Sequence, residues 1–370
     1  MTVVEQTAQT YRPESPALPR AHLGDPRVRR ARRLLPVIAV GLLGLLAAHV
    51  LVGFVAVLSP MEVWTALVDS AEAPRLHVLA VNTRLPRALT GALIGMALGS
   101  AGALLQAVTR NPLASPEITG VASGAVAATL VWLAFGPSVE PETGLWLQPV
   151  VATAGGFAAA TVVYVLARRA GPLESTRLIL IGVLISGVLT SLTTLSLLML
   201  RAEAEEVLRW LSGELAFVTW GKALRVASYL VPGALLLLLA VPRANLLQLG
   251  GEVATALGQG RDRDRLLVLL AAVALTAGAV TFVGTIGFVG FIAPHFARRW
   301  VGSDLRRLIP ASALVGAGVV LVADFAARNF SLTMLPIDLP FLRNASLPAG
   351  IYVSLFAIPL IITLVLRRIR

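Results

Sequence analysis

The sequence has no cysteine and is poor in lysine, histidine and charge. Without cysteine among its 370 residues, the chain can form no disulfide, no thiolate metal site and no cysteine nucleophile. Its single lysine, Lys222, is followed by Ala223, so the sequence contains no Gly-x-x-x-x-Gly-Lys-[Ser/Thr] phosphate loop. The four histidines are too scattered to indicate a metal cluster; they are His22, His49, His77 and His295. We therefore expect the chain to bind no metal and no cofactor itself.

Long apolar runs dominate what is present. Hydrophobic residues make up 56% of the chain and charged residues only 14%, and the mean hydropathy is +0.81. Runs of about 18 or more apolar residues can cross a bilayer as helices, and their Leu, Val, Ala and Gly content favours a helical bundle over an outer-membrane barrel. We predict an all-α polytopic membrane protein with ten spans, at residues 34–58, 85–108, 118–135, 147–168, 178–200, 226–242, 266–284, 286–297, 308–327 and 349–366.

The basic residues predict the orientation of these spans. The net charge of +11 could indicate a nucleic-acid partner, but the arginines separate the apolar runs instead of lining one face. If the chain starts inside and alternates, 22 of the 31 basic residues fall on inner segments, as the positive-inside rule requires. We therefore predict an inner-membrane protein with both termini in the cytoplasm and no nucleic-acid partner. Residues 1–33 are predicted to be a disordered basic cytoplasmic tail that precedes a transmembrane domain at 34–370.

The segment Arg84–Gly124 organises the chain. It reads RLPRALTGALIGMALGSAGALLQAVTRNPLASPEITGVASG. We predict a helix that crosses the membrane, turns at Asn111-Pro112 on the inner side and starts back. Four glycines fall on one face of this helix, where small residues let helix backbones approach closely in lipid; they are Gly91, Gly95, Gly99 and Gly102. This pattern predicts a central, close-packed helix.

The seventh and eighth spans could form one long helix. Gly284, Gly287 and Gly290 favour a break followed by a short return helix. A single helix would also put the basic cluster Arg298–Arg307 outside, which the positive-inside rule disfavours. Two spans are therefore predicted.

Two other classes of function fit the sequence less well. An ion-gradient-driven secondary transporter fits helices interrupted by Gly and Pro, but it would require intramembrane charges. Asp324, near the outer end of the ninth span, is predicted to form a local ion pair with Arg328, and no span has a carboxylate at mid-depth. A membrane enzyme is disfavoured because no H-E-x-x-H or G-x-S-x-G motif and no convergent set of catalytic groups is present.

Taken together, the motifs resemble those of a known family. The segment Arg84–Gly124 is similar to the signature of FecCD-type permeases, the membrane subunits of type II ABC importers for iron-siderophores, haem and cobalamin. Further similarities follow in the same order along the chain, up to the C-terminus. They are LILIGVLIS at 178–186, WLSGE at 210–214 with Trp220, GTIGFVGFIAPHFAR at 284–298, the Asp324–Arg328 pattern and SLPAGIYVSLFAIP at 346–359.

The resemblance implies partners and roles. It implies ten helices per subunit, a dimer with a second permease subunit, two cytoplasmic ATPases that bind ATP and Mg²⁺, and an extracytoplasmic substrate-binding protein. Arg84, Arg87 and Arg328 would receive carboxylates of that binding protein. Coupling to the ATPases would lie around 246–265, at Gly251, Glu252, Ala256, Leu257, Gly258 and Arg261, with Asn111 and Pro112 on the same inner face. The translocation path would include Ser186, Thr190 and Thr194 of the fifth span.

The substrate class and one loop stay open at this stage. Ferric siderophore is the predicted substrate, and haem and cobalamin are alternatives that need the same architecture. Ser346 stands where the family has Glu, and Asp338-Leu339-Pro340 is an alternative match to that motif. The loop at 329–345 is longer than the resemblance leads us to expect.

Overall fold

A computed structural model describes residues 26–53, 56–69, 73–135, 141–169, 171, 175–199, 208, 210–249, 261–330 and 347–369. In these ranges the chain is helical, with short turns and no strand. The helices are α1 (Pro26–Leu51), α2 (Pro60–Val68), α3 (Pro74–His77), α4 (Leu85–Thr109), α5 (Val121–Phe135), α6 (Pro141–Arg169), α7 (Ser175–Met199), α8 (Trp220–Leu249), α9 (Arg261–Val283), α10 (Val289–Val301), α11 (Leu305–Asn329) and α12 (Ala349–Ile369). A π-helical turn (Val78–Arg84) joins α3 to α4, and a 3-10 turn (Pro116–Thr119) precedes α5.

The ten predicted spans correspond to α1 and α4–α12. Seven described segments are long and apolar enough to cross a membrane, and α5 and the first half of α12 are shorter apolar helices. Several helix ends differ from the predicted span boundaries; α1, for example, ends at Leu51 and not at 58. The basic run Arg27–Arg33 is helical, because α1 begins at Pro26 and Ala31 is already buried in the core. In addition, α8 continues past 242 to Leu249. The rest of the predicted tail, residues 1–25, lies outside the described residues.

Helix α4 is the centre of the bundle, and its glycines explain why. A Cβ on Gly95 would overlap the backbone of Gly316 in α11, and a Cβ on Gly102 would overlap the backbone of Gly290 in α10. Only glycine allows backbones to come so close in lipid, where apolar burial gives little driving force for helix association. The predicted glycine face is therefore confirmed, and it fixes α4 against two neighbours.

The break between the seventh and eighth spans is also confirmed. Helix α9 ends at Val283, Gly284 has a φ of +73°, and Phe288 has a φ of +64° just before α10. Helix α10 has only 13 residues, about 20 Å, which is too short to cross a bilayer core of about 30 Å. Because Gly290 lies against the middle of α4, this break is inside the membrane.

The positive-inside rule predicts that the α2 end of the bundle is outer and the Asn111 end inner, and the two ends are named accordingly below. The connection between α1 and α4 at the outer end contains the short helix α2. Ser59 caps it, since the Ser59 Oγ accepts from the Glu62 N–H while the Ser59 N–H donates to Glu62 Oε2. The hydrogen bond from the Ser59 backbone lowers the pKa of Glu62. Apolar side chains at Met61, Trp64 and Val68 are exposed on this helix.

The close approach of α4 and α11 can be tested with one methyl group. Gly95→Ala should lower the free energy of unfolding by about 1–3 kcal/mol, because the new Cβ overlaps the backbone at Gly316. The matched control is Gly318→Ala in α11, which has no neighbouring atom within 4 Å and should be neutral or slightly stabilising. Thermal unfolding of the purified chain in detergent measures both. Equal stability of the two variants would contradict the described packing.

Candidate functional site: an outer arginine cluster and a broken helix

An ion pair joins α4 to α11 near their outer ends. Arg87 makes a bidentate contact with Asp324, with Nε at 2.9 Å from Oδ2 and Nη2 at 2.8 Å from Oδ1. Asp324 is 1% exposed and its Oδ2 also lies 3.3 Å from Nε2 of His49 in α1, which is fully buried. Paired guanidinium and carboxylate planes fix orientation as well as distance. The carboxylate therefore connects three helices.

Two further arginines bind the C-terminal end of α1. Arg84 Nη1 donates to the carbonyl oxygens of Val50 and Leu51, and Arg84 Nη2 donates to that of Ala56 at 2.7 Å. Arg328 Nη2 donates to the carbonyl oxygens of His49 and Val52. The last carbonyls of a helix have no partner within it, and cations there are also favoured by the helix dipole. These two arginines therefore cap α1 from α11 and from the turn before α4.

The predicted local ion pair between Asp324 and Arg328 was wrong. Asp324 pairs with Arg87 and His49, whereas Arg328 turns to backbone carbonyls of α1 and the residue after it. Spacing along one helix could not reveal this, because the stronger partners come from elements 237 and 275 residues away in sequence. The cluster holds three guanidinium groups and one carboxylate, so it carries excess positive charge.

The three predicted docking arginines therefore lie together, but they differ in access. Arg84 is only 3% exposed, whereas the side chain of Arg87 is 19% exposed and Arg328 is half-buried. All three already have partners inside the chain. Their role in docking stays a prediction, and the geometry gives Arg84 a structural role in addition.

The predicted path residues lie on a largely exposed helix. In α7, Thr190 and Thr194 are exposed and Ser186 is half-buried. The Thr190 hydroxyl donates to the Ser186 carbonyl, and the Thr194 hydroxyl to the Thr190 carbonyl. Both threonine hydroxyls therefore have a partner in the helix's own backbone. Their part in a translocation path stays a prediction.

The Asn111-Pro112 turn lies at the inner end of α4. Arg110 has a φ of +49° and ends the helix, and the Asn111 side chain accepts from the Leu113 N–H at 2.9 Å. Arg265 of α9 donates to the Val108 carbonyl, and Arg110 donates to the Leu247 carbonyl of α8. The turn is thus attached to both helices that flank the predicted coupling segment. Most predicted coupling residues fall at 250–260, outside the described residues, and Arg261 is described only as the first residue of α9.

Segments from both sides of the membrane form hydrogen bonds with the backbone break between α9 and α10. From the outer side, the Glu214 N–H donates to the Val283 carbonyl, and the Thr285 hydroxyl donates to the Leu211 carbonyl. From the inner side, Glu117 Oε1 accepts the Phe288 N–H at 3.1 Å. Irregular backbone at membrane depth must find such partners within the protein.

Glu117 was missed at the level of sequence. It lies just before the third predicted span at 118–135 and was given no role, and no span was expected to hold a carboxylate at mid-depth. The structure overturns that expectation, because the chain rises back into the membrane before α5 begins. Its neighbour Pro116, typical of a turn, was the available signal, but proline does not say how deep a turn lies. Within the described ranges, no group of three or more metal-ligating side chains occurs.

Comparison with known proteins identifies the family to which this architecture belongs. The profile of the FecCD transport family matches residues 40–367. The chain belongs to the FecCD transport family. The family resemblance seen in Arg84–Gly124 is thereby confirmed, as is the all-helical permease fold. FecCD proteins are transport permeases and not known as enzymes, and their multi-pass membrane character agrees with the apolar helices found here.

Several relatives illustrate the match. The chain is 33% identical over 318 residues to the Fe(3+)-citrate import system permease protein YfmE of Bacillus subtilis, covering 84% of this chain and 91% of the relative. It is 33% identical over 297 residues to the Fe(3+) dicitrate transport system permease protein FecC of Escherichia coli, covering 79% and 84%. It is 37% identical over 288 residues to the ferric enterobactin permease FepG of Escherichia coli, covering 76% and 83%.

A solved structure shares the fold of this FecCD chain. It is an inward-facing conformation of a metal-chelate type ABC transporter, with a TM-score of 0.77 and 29% identity, covering 91% of this chain and 99% of that one. The chain's arrangement of helices is therefore that of an ABC transporter permease.

The buried ion pair should contribute far more to stability than an exposed one. Asp324→Asn leaves Arg87 and His49 without a carboxylate in a buried site, and we expect a loss of about 3–5 kcal/mol. The matched control is Asp262→Asn, which removes an ion pair with Arg168 whose side chains are about half exposed, and should cost under about 1 kcal/mol. Thermal unfolding in detergent measures the difference. If both variants lose the same stability, the cluster does not anchor the helices as described.

Proposed function

We propose that the chain is the permease subunit of an ATP-driven, binding-protein-dependent importer of ferric siderophores in the inner membrane, with both termini in the cytoplasm. The observation that carries this proposal is the FecCD match over residues 40–367, with relatives named for import of ferric citrate and ferric enterobactin. A second permease subunit completes the translocation path, and two ATPase subunits hydrolyse ATP with Mg²⁺. Haem and cobalamin are alternative substrates of the same architecture.

The proposed docking face for the binding protein is the outer arginine cluster. It is supported by the excess of positive charge among the described residues, because the three guanidinium groups of Arg84, Arg87 and Arg328 face the carboxylate of Asp324 and, at longer range from Arg87, that of Glu214. Arg87 and Arg328 would meet carboxylates of the binding protein directly, since both are partly exposed. Arg84 would act by holding the end of α1, because its side chain is buried among carbonyl oxygens.

The proposed motor face is at the opposite end of α4. Residues 110–119 form the inner turn, in which Arg110 donates to the Leu247 carbonyl at the end of α8. Arg265 at the start of α9 donates to the Val108 carbonyl just before this turn. These contacts support transmission from an ATPase bound between those helices. Cargo would pass along α7, where Thr190 and Thr194 are exposed. This path would be weakly binding at Thr190 and Thr194, because both hydroxyls already donate to backbone carbonyls of α7.

The importer function is tested by reconstitution. The chain, co-expressed with candidate ATPase and permease partners, should co-purify with an ATPase and should take up a ferric siderophore into proteoliposomes only with ATP and a binding protein. Ferric citrate, haem and cobalamin serve as competing cargoes and rank the substrate classes. Uptake by the purified chain alone, driven by a proton or sodium gradient, would replace the proposal with a secondary transporter.

Docking is tested by charge at the outer face. Arg328→Gln should weaken binding-protein affinity about tenfold at low salt and reduce its salt dependence, because one charge-assisted contact is lost. Arg328→Lys keeps the charge and should retain the salt dependence. Arg75→Gln removes an exposed arginine of α3 on the same side and is the matched control, with a change below about twofold expected. Unchanged affinity in folded Arg328→Gln protein would remove Arg328 from the docking face.

A further inference from the structure

The inner turn rises to the middle of the membrane. Pro116 and the Leu98 carbonyl both border Gly290 at the start of α10. Leu98 lies three helical turns before the end of α4 at Thr109, about 16 Å along the axis. The chain therefore climbs from Arg110 at the inner end back to mid-depth, where Glu117 follows.

At that depth Glu117 touches the break between α9 and α10. Its Oε1 accepts the Phe288 N–H at 3.1 Å, and an added Cβ on Gly287 would lie 4.0 Å from the same oxygen. Helix α10 begins one residue later, so the carboxylate lies at the positive end of a half-helix. This is the one hydrogen bond that the structure describes between the inner turn and the break.

The other end of the inner turn is attached to α8 and α9. Arg110 Nε lies 3.2 Å from the Leu247 carbonyl, and Arg265 Nη2 lies 3.3 Å from the Val108 carbonyl. A displacement of these two helix ends would therefore move the turn. Between Asn111 and Ser115 the backbone is not helical, and neither is it between Gly284 and Gly287, so both segments can change their dihedral angles without breaking a helix.

We propose that Glu117 transmits movement of the inner turn to the break at Gly284–Phe288 and thereby reorients α10. The glutamate is a positioning residue: it acts through the Phe288 backbone and touches no cargo. This inference rests on the proposed function in one respect, namely that an ATPase displaces the inner face. The contact itself gives the carboxylate at mid-depth the close partner that a buried charge requires.

Three substitutions at one position separate a positional link from a requirement for charge. In the reconstituted complex, Glu117→Ala should lower cargo uptake per ATP hydrolysed about tenfold, the order expected for loss of one charge-assisted hydrogen bond. Glu117→Gln keeps an oxygen at the same position and should retain coupling within about threefold. Glu117→Asp keeps the charge but is one methylene too short, and it should behave like Glu117→Ala. ATP hydrolysis by all three complexes should stay within about twofold of the parent.

A control substitution in the same turn distinguishes loss of the Glu117 contact from a general destabilisation of the turn. The Thr119 hydroxyl donates to the Pro116 carbonyl at 2.6 Å, within the 3-10 turn. Thr119→Ala removes that hydrogen bond without touching Phe288, and it should leave uptake per ATP unchanged. Equal loss in Thr119→Ala and Glu117→Ala would overturn the proposal, and so would normal coupling in Glu117→Ala or a pattern in which Asp works and Gln fails. If the parent complex shows no ATP-driven uptake at all, the proposed function fails first and is distinguished from failure of the link.

Discussion

A bilayer core offers no water to helix ends, so every interrupted helix in this chain must find its backbone partners inside the protein. Three ends show the consequence. Arg84 and Arg328 bind the last carbonyls of α1, Arg265 binds a carbonyl at the end of α4, and Glu117 binds the N–H before α10. In each case the partner comes from another part of the chain. Satisfying a local backbone requirement therefore creates a tertiary attachment.

The outer cluster follows from the same constraint combined with the cost of burying charge. Asp324 is almost fully buried, and a buried carboxylate persists only with close partners. Arg87 reaches it because α4 and α11 approach at Gly95 and Gly316, where any side chain would force the helices apart. The glycine face and the ion pair thus depend on one another. The pair also fixes the relative register of the two helices, since a shift of one turn would separate guanidinium from carboxylate.

Much of the fold could be predicted from the sequence, because hydropathy and basic flanks act locally. The ten spans, the glycine face of α4 and the break near Gly284 all rest on short stretches of chain. The hydrogen-bond and ion-pair partners of buried side chains could not be predicted in the same way. Arg328 binds α1 instead of Asp324 because α1 ends beside it. The spacing of residues within one helix does not predict where another helix ends in space. The depth of Glu117 was hidden for the same reason: a turn signal marks where a helix ends, but not how far the chain then rises.

The outer cluster and the break are held by different numbers of contacts, and this difference bears on how such a permease can move. At the outer end, Arg84, Arg87 and Arg328 make multiple contacts, two of them part of a bidentate pair. Because Arg84 and Arg328 bind neutral carbonyls, their charge is not cancelled, and a carboxylate from outside can be attracted without displacing Asp324. At mid-depth, one hydrogen bond from Glu117 connects the inner turn to the non-helical backbone at the break. A displacement of the inner turn would therefore change the backbone at the break and the orientation of α10. The outer face would keep its shape and its charge for docking.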